Sequence, residues 1–181
     1  LERHVRTVCR RGREAGLDTI VFGSGGARRI PEGFDRAQAG QQLIAFGRLA
    51  AAIAQEHAIT LAVEPLNRKE CNVLITVQES ADYVRAVNHP GCQLLVDGYH
   101  WALDSDSAAA IVANGPLFRH THIATVPSRL CPGAEPCDLA PFFTALRQAN
   151  YQGRLSIEAK IVDAEKDLRT ALRVMRDAAG C

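Results

Sequence analysis

Five short apolar runs, each followed by a segment of helical spacing, leave few folds open to this chain. The runs are Asp18-Thr-Ile-Val-Phe-Gly23, Ile59-Thr-Leu-Ala-Val-Glu64, Gln93-Leu-Leu-Val-Asp97, Phe118 to Ile123, and Arg154-Leu-Ser-Ile-Glu158. Their aliphatic and β-branched content and their brevity predict buried strands. Residues 2–15 have helical spacing, with Val5, Val8 and Cys9 on one side, and Gly16 ends them. Residues 24–34, with their glycines, arginines and proline, read as loop. The longest helical pattern is 35–57, where Leu43, Phe46, Ala50, Ile53, Ala54 and His57 share a face. Thr76 and Glu79 form a capping box that opens a helix to about Val87. A further helix is predicted at 104–113, stopped by Asn114-Gly115-Pro116. Asp138 is placed to cap a helix that turns Leu139, Phe142, Phe143 and Leu146 inward. The last helix opens at Asp163, with Leu168, Leu172 and Met175 as its inner face.

The order is therefore one helix and then five strand–helix units. Strict alternation predicts an α/β fold with a parallel sheet and right-handed crossovers. No internal repeat or low-complexity linker divides the chain, so residues 1–181 read as a single domain. With 181 residues, 47% of them hydrophobic, the chain can bury a sizeable core. It falls short of the roughly 250 residues typical of a closed eight-stranded barrel. Five strands of such a barrel would leave two open edges. Upstream strands lie outside this chain, or the sheet is open, or another copy covers it. The helical, Met-less start at Leu1 favours the first expectation.

Charge excludes some classes of function. The 21 basic and 20 acidic residues give a net charge of +1, without a basic face for nucleic acid. No run of 18 apolar residues offers a membrane span, and no secretory leader is visible. The six cysteines, Cys9, Cys71, Cys92, Cys131, Cys137 and Cys181, form no C-x-x-C pair. The expectation is scattered thiols in a reducing cytoplasm, with a Cys131–Cys137 disulfide as the alternative.

Four of the strand runs end in a polar group that can bind a metal: Glu64, Asp97, the His120-Thr-His122 segment and Glu158. In a parallel α/β barrel all C-terminal strand ends open onto one face, so groups distant in sequence converge. A carboxylate at the end of a buried strand is costly unless paired or bound to a cation, and three together repel one another. A bound dication resolves both problems. His120 and His122 share a strand face by alternation, and His122 is chosen because it lies nearer the strand's C-terminal end. Three carboxylates and one imidazole without a thiolate favour Mn²⁺, Mg²⁺ or Co²⁺, with zinc as an alternative. His100, three residues after Asp97, is read as a substrate contact or as a helix-capping loop histidine. Ser24-Gly-Gly is read as a phosphate cradle or as a tight turn, the turn being commoner.

The same motifs carry a family resemblance. Ala62-Val-Glu-Pro-Leu-Asn-Arg68 with Glu70, Leu95-Val-Asp-Gly-Tyr-His100, His120-Thr-His-Ile-Ala124 followed by Arg129 and Pro132-Gly133, and Leu155-Ser-Ile-Glu158 resemble, in that order, the xylose-isomerase-like sugar phosphate isomerase/epimerase family of TIM barrels. Within it the chain is most similar to the ketose 3-epimerases. Val21-Phe-Gly-Ser-Gly-Gly with Pro31-Glu-Gly-Phe34 also resembles the loop after the fourth strand there. The resemblance implies a (β/α)8 barrel of which this chain covers the fourth to eighth strands, the N-terminal strands being absent. It implies Glu64, Asp97, His122 and Glu158 as metal ligands, and Glu64 and Glu158 as the acid/base pair. It further implies that Glu70, His100 and Arg129 contact substrate oxygens. The implied activity is a metal-dependent epimerisation or isomerisation of a small sugar through an enediolate, with Mn²⁺ as the foremost metal and a homodimer as the assembly. Alternatives are a hydroxypyruvate-type isomerase or polyol dehydratase on the same scaffold, or an inactive barrel fragment. An abasic-site endonuclease is disfavoured, since it would want more histidine ligands and a basic face.

Overall fold

The structure, a computed structural model, describes residues 1–180. Its strands are β1 (Thr19–Phe22), β2 (Thr60–Val63), β3 (Cys92–Asp97), β4 (Phe118–Ile123) and β5 (Leu155–Ile157). They form one parallel sheet in the order β1-β2-β3-β4-β5. The helices are α1 (Glu2–Glu14), α2 (Gly25–Arg28), α3 (Arg36–Glu56), α4 (Val77–Val87), α5 (Gly98–Leu103), α6 (Ala108–Asn114), α7 (Ala140–Gln148) and α8 (Ala164–Ala179). Sequential strand order with helical crossovers puts each strand beside its successor and aims all five C-terminal ends the same way.

Local chemistry explains most boundaries. Asp35 caps α3 by accepting from Gln38 N, Thr76 caps α4 through Glu79 N, and Asp163 caps α8 through Lys166 N. The carboxylate of Glu79 reaches back to Leu74 N and Ile75 N, so it fixes the turn that feeds α4 rather than the cap residue itself. The main core lies between the sheet and α3, α4, α6 and α7, with Val63, Leu94, Val96, Ile111 and Ile123 fully buried. A smaller cluster of Cys9, Ile53, Ala54 and Ile59 seats α1 on α3.

The structure departs from the sequence reading at five places. The loop predicted at 24–34 contains α2. The helix predicted at 104–113 begins only at α6 (Ala108–Asn114); residues 104–107 link it to α5, which ends at Leu103. Ser105 takes a left-handed φ of 52° between them, and Asp106 turns away to accept from Val77 N. The cap of α7 falls on Leu139, with Asp138 one position earlier and accepting from Ala140 N. In α8, Leu168 and Leu172 are exposed and Ala171 is buried instead, while Met175 packs on the core as predicted. On α1 the predicted inner residue Val8 is exposed as well. An apolar stripe shows which face a helix can bury, whereas the neighbour that covers it is a tertiary fact.

The five described cysteines are all free, including Cys131 and Cys137; Cys181 lies outside the described residues. No helix among the described residues is long and apolar enough to cross a membrane. Leu94, fully buried on β3, should lose about 2–5 kcal/mol of stability on replacement by alanine, read as a lower urea midpoint with an unchanged m-value.

Candidate metal centre

Parallel register assembles the centre. Asp97, the last residue of β3, pairs directly with His122 of β4. Glu64 follows β2 and continues its ladder by donating its N–H to Phe22 O at 3.2 Å. Glu158 follows β5 and donates its N–H to Ile123 O at 3.1 Å. One ligand atom from each of Glu64, Asp97, His122 and Glu158 lies within 4.8 Å of the others. His122 sits at the middle, its Nδ1 at 3.1 Å from Glu64 Oε1 and 3.0 Å from Glu158 Oε2. His120 lies one layer deeper, with Nε2 at 2.9 Å from Ser156 Oγ, and is not in the cluster.

Burial is graded across the four. Asp97 is 0% exposed and Glu64 4%, whereas the Glu158 side chain is 47% exposed. Asp97 Oδ1 caps α5 by accepting from Tyr99 N at 2.8 Å. Its other oxygen, Oδ2, is buried without a hydrogen-bond partner. Burial and the charge of Glu64 push the Asp97 carboxyl up to about 7. At His122 burial alone would favour the neutral ring, but hydrogen bonds to Glu158 and Glu64 outweigh it and raise the imidazole to about 9. The hydrogen bond from His122 holds Glu158 down at about 2, against burial and with help from Arg129. The cluster is thus a set of anions short of positive charge, with one orphaned oxygen directed into it. That fits a divalent cation held by three carboxylates and one imidazole.

The other three predicted residues surround the cluster. Arg129 leaves the loop after β4 with a left-handed φ of 56°, and lies over the Tyr99 ring at 4.9 Å. Its guanidinium reaches Glu158 Oε2 at 3.0 Å, Glu70 Oε1 at 3.5 Å and Asp97 Oδ2 at 3.6 Å. His100 belongs to α5 rather than to a loop and is 3% exposed, its Nε2 at 3.7 Å from Asp97 Oδ2. Burial lowers its pKa.

Asn67, whose role was not singled out from the sequence, orders this second tier. Its Oδ1 accepts from Lys69 N and Glu70 N, which fixes the amide orientation. Its Nδ2 then donates to Glu70 Oε1 at 2.9 Å and faces His100 Nδ1 at 2.7 Å. His100 Nδ1 must accept, so the ring proton sits on Nε2, directed toward Asp97. The only signal in the sequence was position within the Glu64-to-Glu70 motif.

A match to the family model described as xylose isomerase-like TIM barrel covers residues 3–178. The chain belongs to that family. It is 30% identical over 144 residues to a D-psicose 3-epimerase of Enterocloster bolteae, an overlap of 79% of this chain and 46% of that protein. A crystal structure of D-psicose 3-epimerase in the presence of D-fructose superposes with a TM-score of 0.86 at 24% identity, covering 99% of this chain and 71% of that one. The IOLI protein with a bound zinc atom superposes at 0.81 and 16% identity, covering 98% and 68%. The five parallel strands are accordingly a half-barrel of the TIM-barrel fold, and the chain spans less than half the length of the first relatives it matches.

A cation held by this cluster would compete with protons for the same atoms. Below pH 7 Asp97 and His122 both hold protons, and both are free above about pH 9. Mn²⁺ affinity measured by calorimetry should therefore climb from pH 6 to pH 9, level off above, and show proton release that shrinks over the same range. Asp97→Asn keeps the cap to Tyr99 and removes a buried charge. Its metal-free form should be at least as stable as the parent at pH 8 by urea titration. Its Mn²⁺ affinity should fall beyond the ~100-fold that outer-shell changes reach.

Proposed function

We propose that this chain carries the metal-binding half of a ketose epimerase, with Mn²⁺ as the resident metal ahead of Mg²⁺, Co²⁺ and Zn²⁺. The observation that carries this reading is the orphaned Oδ2 of the fully buried Asp97 among Glu64, His122 and Glu158. A buried carboxylate oxygen with no donor within hydrogen-bond distance favours a cation. Similarity to psicose and ribulose 3-epimerases supports a ketose as the substrate. On this reading β1 to β5 correspond to the fourth to eighth strands of the barrel.

The chemistry divides among the chain's own residues. Glu64 and Glu158 come from strands separated by β3 and β4, so they approach the reacting carbon from two sides of the mouth. Glu158, held ionised by His122 and Arg129, accepts the proton from the carbon next to the carbonyl. Glu64, entering the step with a proton taken up from solvent, then delivers it to the opposite face, which inverts that carbon; delivery to the neighbouring carbon would isomerise the sugar instead. A bound dication would polarise the carbonyl and stabilise the enediolate charge. Arg129 and Glu70, both reachable from solvent, orient the sugar's oxygens, and His100 is held behind them against Asp97.

The test is turnover of a panel of ketopentoses and ketohexoses with added Mn²⁺ in D₂O. Epimerisation at C3 with deuterium incorporated there is the expected result. Glu158→Gln should lower kcat by about 10²–10⁴-fold while circular dichroism and the urea midpoint stay unchanged. Full activity in that variant removes Glu158 from the proton transfer. Tight Mn²⁺ binding without exchange on any ketose would mark the chain as a retained metal site lacking catalysis.

A further inference from the structure

Arg28 has no role in the chemistry above, yet it is a buried cation beside the metal centre. It is 4% exposed, and no carboxylate among the described residues lies within ion-pair distance of it. Its hydrogen bonds go to carbonyls instead. Nη1 donates to Phe22 O at 2.8 Å, and Nη2 donates to Glu64 O at 2.5 Å and to Leu74 O at 3.4 Å. Nε, also buried, has no partner. Phe22 O already accepts from Glu64 N, so one guanidinium gathers the C-terminal ends of β1 and β2 at Glu64 itself. Its guanidinium also lies 5.4 Å from the Phe22 ring centroid, but burying it without a carboxylate partner is still unfavourable, and a neutral donor would satisfy a strand-end carbonyl more cheaply. The planar fork, however, can hold two carbonyls at a fixed separation, which a lysine cannot.

Five residues earlier, Gly23 shapes the other end of Glu64. A Cβ at Gly23 would overlap Glu64 Oε2 and lie 3.1 Å from its Cδ. The Glu64 carboxylate therefore rests over the Gly23 Cα, in space that exists only because no side chain fills it. Gly25 is constrained in the same manner, since its Cβ would come within 2.7 Å of Glu70 O. These close approaches account for Gly23 and Gly25, whereas a Cβ at Gly26 would meet nothing within 4 Å.

We propose that Arg28 and Gly23 are positioning residues for Glu64: Arg28 fixes its backbone, and Gly23 leaves its carboxylate the one place from which it meets His122. Neither touches metal or substrate. The proposal deepens the metal-site reading and rests on it.

Three variants test it: Gly23→Ala, Arg28→Met and Arg28→Lys, with Val87→Ala as a core-destabilised control far from the centre. In crystal structures of the metal-free variants, Gly23→Ala should swing Glu64 away from His122, lengthening the 3.1 Å separation by an ångström or more with the sheet unmoved. Mn²⁺ titration followed by electron paramagnetic resonance should give Kd values raised about 10–100-fold in Gly23→Ala and Arg28→Met. Arg28→Lys should fall between these and the parent. Val87→Ala should lower the Tm and leave Kd unchanged, which separates positioning from general weakening. A Kd within twofold of the parent in Gly23→Ala and Arg28→Met, or a Glu64 carboxylate that stays in place, overturns the proposal. If the parent itself binds no Mn²⁺, the metal reading fails, and the crystallographic arm still decides whether these residues position Glu64.

Discussion

Three carboxylates and an imidazole brought together at the mouth of a half-barrel are the constraint around which this molecule is arranged. Left to themselves the acids would repel one another and pull water into the strand ends. Instead, the protein surrounds them with whatever positive charge and hydrogen-bond donors it has. His122 bridges Glu64 and Glu158, Arg129 spans Glu158, Glu70 and Asp97, and the N-terminus of α5 donates to Asp97. These contacts compensate the cluster only in part, since one oxygen of Asp97 remains without a donor. On the proposed reading, a small, doubly charged ion would make up that deficiency.

A second tier of residues converts that charge balance into geometry. Asn67 sets the facing atoms of Glu70 and His100. Tyr99 gives the Arg129 guanidinium a flat surface, while the left-handed backbone at Arg129 turns its side chain back over the site. Arg28 draws the ends of β1 and β2 together behind Glu64. Each of these side chains serves an acid that faces the mouth, so the region between strand ends and helices is more polar than the core beneath it.

How much of this was legible in the sequence depended on how local each signal was. Glu64, Asp97 and Glu158 stood out because each closes an apolar run, and strand ends in a parallel sheet share one face whatever their distance along the chain. His122 could be preferred to His120 by position alone. Arg28 and Asn67 could not be read in the same way. Arg28 acts on a carbonyl 36 residues away, and Asn67 on a histidine 33 residues away. Gly23 read only as the stop of the first strand run, because the atom that needs its missing side chain comes from the next strand. Leu168, Leu172 and Met175 were assigned inward by their spacing; Met175 packs on the core, but only the packing of α8 shows Ala171 buried in place of the two leucines.

The graded burial of the four clustered side chains makes the candidate centre one-sided. Glu158 stands at a lip that water reaches, while Asp97 lies at a floor that it does not. An arriving ion would meet the lip still carrying most of its hydration shell and would exchange those waters for protein oxygens as it descends. Loading and escape would then be paced by the shedding and regaining of the last waters. Metals that release water reluctantly would be disadvantaged in rate even where their final affinity is adequate.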